Sequence, residues 1–301
     1  MMRYLAVLLP LVVLLVAMVL ACLLGYIIYV IAVTLGDPPP LRKIISKTTL
    51  ALLVLSIFPL TAYLKMDKTT LGFAPTAWFL KQLLQGFVLG GSTLLPVFVV
   101  LFALDIQVLD TSQPWTAVWL LKKTSVSLLL ALLISWLEEP LFRGLVLMGL
   151  ARRLSRAAAI VTSAFYYATL HFLDSKTEPP AQDINLLSGF KLLAEAFANL
   201  CNPAIYPAFA ALLMVGIFLG VLRTQRQTSL GLCIGCHTAW VWQIKMSKAL
   251  ANSNPDADYF YLVSPYDGVV GYLVAAWLLL VLAGYGGWQC LRHSKTRQTG
   301  I

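Results

Sequence analysis

The sequence is short of charge. Only 12% of its 301 residues are Asp, Glu, Lys or Arg, against about 25% in a soluble domain. No polar stretch is long enough to form a separate soluble domain, and there is no internal repeat or low-complexity tract. The apolar runs are unbroken rather than alternating, which excludes an outer-membrane barrel. Cysteines are few, and four of the five (Cys22, Cys201, Cys233, Cys236, Cys290) fall inside or at the edge of apolar runs, so no disulfide framework is expected. Histidines number three, and the HExxH pattern of zinc proteases is missing.

What remains is apolar. Hydrophobic residues make up 59% of the chain and the mean hydropathy is +0.82. Only helices and closed barrels satisfy the backbone in lipid. The expected fold is therefore all-α: a polytopic transmembrane helical bundle of about eight spans. The spans are expected near 5–35, 48–64, 83–104, 117–150, 157–173, 206–222, 229–246 and 269–285. The first run exceeds the roughly 7–15 apolar residues of a signal-peptide core and lacks a convincing cleavage site, so it reads as a retained span. The chain divides into a two-span N-terminal anchor region (1–70), a central core (71–250), and a last span with a basic tail (251–301).

The net charge of +9 comes mostly from short basic clusters between apolar runs. That is the positive-inside pattern of a membrane protein, and no nucleic-acid partner is expected. From Arg152, Arg153 and Arg156 onward, basic and acidic loops alternate. The 152–156 turn, the Arg223–Arg226 turn and both termini are therefore assigned to the cytoplasmic side. Arg42, Lys43, Lys47, Lys122 and Lys123 then fall on the opposite side, against the rule. The expected location is the bacterial inner (plasma) membrane, as a multi-pass integral protein with the bilayer as partner.

Against this background Glu138-Glu139-Pro140-Leu141-Phe142-Arg143-Gly144 is anomalous, because three charges sit within a membrane span. Each costs roughly 2.5–3.5 kcal/mol at bilayer depth, and such residues are functional candidates by default. At ~1.5 Å per residue, Glu138 lies roughly 21 Å from Arg152, His171 roughly 22 Å from Arg156 and His237 roughly 16 Å from Arg226. Counted from independent basic turns, one carboxylate and two imidazoles reach similar depth. Glu139 and Arg143 are four apart and can pair. Pro140 lacks an N–H and should kink or restart the helix. Glu138 points about 100° away from Glu139 and is left for another task, such as a general base. An ion-pair staple or a proton relay remain alternatives. Tyr167 and His171 share a helix face. His293, in the basic tail, needs no role. Cys233-Ile234-Gly235-Cys236-His237 spells a c-type haem attachment pattern, but it lies inside an apolar span, where attachment is not expected. Trp78, Trp115, Trp119 and Tyr266 read as interface anchors.

Glu138-Glu139-Pro140-Leu141-Phe142-Arg143 resembles the EExxxR motif of the CAAX protease and bacteriocin-processing (Abi) family of intramembrane endopeptidases. Tyr167 to His171 resembles its second motif, Phe218-Leu219-Gly220 through Ser229-Leu230 its next stretch, and His237 the histidine of its last motif. The turn Leu71-Gly72-Phe73 is in keeping with the family, and the likeness covers roughly residues 70–245. It implies a protease core in the 71–250 region, cleaving a membrane-bound protein or peptide tail. Carried over by residue, Glu138 activates water, His171 orients or deprotonates it, Glu139 and Arg143 brace the site, and His237 stabilises the oxyanion. No cofactor is certain. A zinc ion on Glu138, His171 and His237 stays open, with metal-free water preferred. The family's last motif usually places an asparagine four residues after the histidine, where this chain has Val241. A lost oxyanion donor typically costs ~10²–10³ in rate. Thr238 or Asn185 are candidate substitutes. A weakened member acting as an immunity or scaffold protein, or a proton-coupled carrier, are the rival functions. The oligomeric state stays open.

Overall fold

A computed structural model describes the backbone of residues 2–225 and 229–298, and the side chains of 7–225, 229–289, 291 and 292. Arg226, used above to count depth, lies outside the described residues, as do the side chains of Cys290, His293, Lys295 and Arg297.

The elements run α1 (Met2–Leu35), α2 (Leu41–Tyr63), α3 (Lys68–Leu71), α4 (Thr76–Ala103), β1 (Gln107–Leu109) and α5 (Ala117–Glu139). A π-helical turn over Pro140–Val146 leads into α6 (Leu147–Ala151). Then come α7 (Arg156–Phe172), α8 (Ser188–Asn199), α9 (Tyr206–Arg223), α10 (Leu230–Leu250), β2 (Ala251–Ser253) and α11 (Tyr272–Gln298). The fold is an all-α membrane bundle. Among the described residues the only sheet is the antiparallel pair β1–β2, with Gln107 opposite Ser253.

Among the described residues six stretches are long and apolar enough to cross a bilayer: Val7–Leu35, Leu41–Tyr63, Lys68–Ala103, Ala117–Ala151, Pro203–Arg223 and Tyr272–Gln289. The count of eight is therefore approximate. The other two expected spans form as helices but fall short, each for its own reason. α7 has only 17 residues. α10 carries His237, Gln243, Lys245 and Lys248, which dilute its apolarity, and it is sheltered between α4, α5 and α9 rather than facing lipid.

Successive helices reverse direction, so each turn can be assigned to one end of the bundle. The 64–73 turn is tied to the 152 turn, since Arg152 donates to the carbonyls of Leu64 and Lys65. It is tied to the 223–230 turn as well: Arg223 donates to Thr70 O at 2.9 Å, and Leu230 N to Gly72 O at 2.9 Å. Lys65, Lys68, Arg152, Arg153, Arg156 and Arg223 therefore share one end. The opposite end holds β1–β2 and the 173–187 segment. Arg42 lies at that acidic end, against the positive-inside rule. Its guanidinium donates to Glu178 Oε1 at 2.9 and 2.5 Å, so a local carboxylate compensates the misplaced charge.

Glycines set the helix spacing. Gly86 and Gly90 on α4 face α10, and Gly231 and Gly235 on α10 face α4. A Cβ on Gly235 would stand 1.9 Å from Leu83 O, and one on Gly86 2.1 Å from Leu232 O. The two backbones touch. Gly216 and Gly220 on α9 do the same for α7, meeting Ala164 and Ile160. These three four-residue spacings fix the helices that carry His171 and His237.

Candidate active site

α5 meets the core through one stripe, Ser127, Ala131, Ser135 and Glu139, each four residues from the last. The small residues let α10 approach, and the fourth position delivers a carboxylate to it. At Pro140 the ring cannot accept the normal geometry against the carbonyl four residues back. The helix widens into the π turn, in which Leu147 N donates to Phe142 O five residues earlier. Such turns are frequent at functional sites. Residues 140–145 are all buried. Ser163 of α7 donates to Phe142 O at 3.2 Å, which ties α7 to the turn.

The structure brings all five sequence-nominated residues together. Glu139 Oε1 is 2.8 Å from His237 Nδ1, and Glu139 Oε2 is 3.4 Å from Arg143 Nε. The Arg143 guanidinium lies over the Tyr167 ring, 4.3 Å from its centroid. Side-chain exposure is 0% for Glu139, 2% for Arg143 and 4% for His237, so this inner group is dry. No nitrogen of Arg143 finds a hydrogen-bond acceptor among the described residues. Its charge is balanced by the carboxylate and the ring face instead.

Glu138 and His171 form the outer, reachable group, 17% and 30% exposed. Glu138 Oε2 lies 3.9 Å from His171 Nε2 and 4.0 Å from His237 Nε2. His171 Nδ1 is 2.8 Å from Tyr167 O. A carbonyl only accepts, so the Nδ1 of His171 carries hydrogen. Glu139 makes the same demand on His237 Nδ1. In each ring the second nitrogen, Nε2, is the one turned towards Glu138.

A cavity of about 290 Å³ opens beside this group. Glu138 and His171 line it, with Arg42, Thr49, Asp174 and Tyr266. Residues 1–70, read from sequence as an anchor, thus supply a wall of the cavity through α1 and α2. Tyr266, read as an interface anchor, is on its rim, with its hydroxyl 3.4 Å from His171 O. Partial burial raises the Tyr266 phenol above its ordinary value. Neither Arg42 nor Tyr266 carries a sequence signal for this placement, because each arrives from a distant segment.

A zinc site demands a tighter cluster than this one. Zinc bonds of ~2.0–2.1 Å in a tetrahedron put ligand atoms roughly 3.3–3.4 Å apart. The separations of 3.9 and 4.0 Å are wider, and no group of three or more His, Cys, Asp or Glu among the described residues is arranged to hold a metal ion. As they stand, Glu138, His171 and His237 are spread wider than a zinc ion would draw them. The expected substitutes for the missing asparagine are also engaged. Thr238 Oγ1 donates to Ile234 O at 2.7 Å. Asn185 Nδ2 donates to Asp183 O at 3.1 Å, and its Oδ1 accepts from Leu187 N at 2.9 Å. Cys233 and Cys236 are free and buried within α10, with no exposed surface for haem attachment.

The five residues thus form a carboxylate–imidazole centre beside an open cavity within a membrane-spanning helical bundle. Residues 120–243 match the family described as Type II CAAX prenyl endopeptidase Rce1-like. The matched stretch runs from α5 into α10 and includes all five site residues. No curated protein and no solved structure matches the chain.

Proposed function

We propose that the chain cleaves a membrane-associated protein or peptide tail with a water activated by Glu138, without a metal. The observation that carries this reading is that Glu138 Oε2 lies 3.9 Å from His171 Nε2 and 4.0 Å from His237 Nε2. When both rings are neutral, all three atoms are acceptors, whereas a water brings two hydrogens. The reading places one further proton in the centre, to serve the third acceptor. His237 is its seat, because Glu139, 2.8 Å from Nδ1, compensates an imidazolium.

Water donates to Glu138 and to neutral His171, and its oxygen attacks the scissile carbonyl carbon. Glu138 takes the proton. The oxyanion accepts from the Nε2–H of His237, a charged donor that offsets the missing asparagine at Val241. As the tetrahedral intermediate collapses, the C–N bond breaks and Glu138 passes its proton to the leaving amine. Arg143 and Glu139 hold His237 and do not touch the substrate.

The test uses the full chain in liposomes with a quenched, C-terminally lipidated peptide, the product being assigned by mass. Glu138→Gln should abolish cleavage, with a loss of 10³-fold or more, while the protein stays folded. Chelation should leave the rate unchanged. A Glu138→Gln protein that keeps the cellular phenotype would favour the scaffold reading and end this one.

A further inference from the structure

A second cavity of about 330 Å³ lies between α1, α2, α6 and α7, next to the catalytic one but separated from it by Leu53, Phe142 and Leu170. Its depth is apolar, walled by residues such as Leu14, Leu60 and Leu145. Its mouth is not, since Lys65, Arg152 and Arg153 all line it. The position of the mouth is significant. The candidate spans Leu41–Tyr63 and Ala117–Ala151 end beside it, so these cations stand where the hydrocarbon gives way to headgroups. Arg152 is fixed there by its bonds to the Leu64 and Lys65 carbonyls. Lys65 has φ 51°, a left-handed conformation uncommon for a residue other than glycine. Arg153 is exposed alongside it.

We propose that this cleft binds an anionic phospholipid, with an acyl chain along the apolar wall and the phosphate against Lys65, Arg152 and Arg153. Charge complementarity at headgroup depth selects this occupant, since basic pockets between membrane helices attract anionic heads. A neutral lipid would leave the cluster unanswered. The bound chain would back Phe142 and so stiffen the turn that presents Glu138. The catalytic residues take no part in the binding.

Native mass spectrometry of the full-length protein in mild detergent tests this with phosphatidylglycerol and phosphatidylcholine of identical chains. Phosphatidylglycerol should be retained preferentially. Lys65→Gln and Arg153→Gln should each weaken its retention about fivefold. Gly149 lines the cleft, and a Cβ there meets nothing nearer than Leu64 Cδ1 at 3.6 Å, so Gly149→Leu should fill the space and remove both lipids. Thermal unfolding of each variant separates lost binding from lost fold. Equal retention of the two lipids, or indifference to the charge variants, would overturn the proposal. Displacement of phosphatidylglycerol by farnesol with no effect of the charge variants would assign the cleft to a substrate's own lipid chain instead.

Discussion

Replacing Gly235 with alanine adds one methyl group, on the face of α10 that touches α4. That methyl would stand 1.9 Å from Leu83 O, and also 2.8 Å from Leu83 C and from Phe87 N. Real Cβ contacts essentially never fall below 3.0 Å, and the obstructing atoms are backbone that cannot rotate aside. α10 must therefore back away from α4 by at least about 1.1 Å, moving His237 two residues further on. The Nδ1 to Glu139 contact of 2.8 Å then stretches or breaks. A misplacement of about 1 Å can cost ~10²-fold in rate, and overpacking costs typically ~1–3 kcal/mol in stability. Gly91→Ala is the control, because a Cβ there meets nothing within 4 Å. It should be neutral or up to about 1 kcal/mol stabilising. The assay pairs proteoliposome cleavage with thermal unfolding in detergent. Wild-type cleavage and an unchanged midpoint in Gly235→Ala would refute the claim that backbone contact at this glycine sets the position of His237.

Other outcomes follow from the same geometry. Arg143→Met strips Glu139 of its permanently charged partner inside a dry site. It should destabilise by about 3–5 kcal/mol in chemical denaturation, and Glu139→Gln in the same chain should return part of that. Gly72 has φ 102°, with the Arg223 guanidinium 2.7 Å from where a Cβ would sit, so Gly72→Ala should cost roughly 1–3 kcal/mol in the same measurement. Asp67 caps α3 by accepting from Thr70 N at 2.7 Å and Thr70 Oγ1 at 2.6 Å, and these bonds hold its carboxyl below the ordinary value. A depressed folded-state value means that its contribution is complete above the ordinary carboxylate range and fades as pH falls through the lowered value. Hydrogen exchange over 67–73 should therefore rise on acidification, and Asp67→Asn should remove that dependence while keeping a cap.

The site was more legible in the sequence than the scaffold around it. Depth counts of ~1.5 Å per residue brought Glu138 and His171 level, because a helix converts sequence distance into height; the count for His237 starts at Arg226, outside the described residues. Pairing of Glu139 with Arg143 followed from the four-residue spacing, and a disturbance at Pro140 from its missing N–H. The form of that disturbance, a wide turn with six consecutive buried residues, depends on what packs around it and carried no local signal. The span count also suffered. Membrane crossing was judged from apolarity, but α10 is sheltered by other helices and can afford polar residues. The glycine spacings on α4, α9 and α10 were visible in the letters, yet their partners become known only when the helices are assembled. The conflict at Arg42 dissolved in the same way, through a carboxylate 136 positions later.

The run of buried residues from Pro140 to Leu145 has a consequence for how the molecule can be cut. A helix lying along lipid cannot turn six successive side chains inward unless something roofs it on the outer side. Here Leu14 and Leu53 of the first two helices join the same apolar cluster as Leu141, Phe142 and Leu145. A chain begun at residue 71 would keep every candidate site residue and still lose the roof, leaving the 140–146 turn open to acyl tails. The leading hairpin is thus part of the molecule's interior, and trimming it should be as damaging as a lesion at the centre.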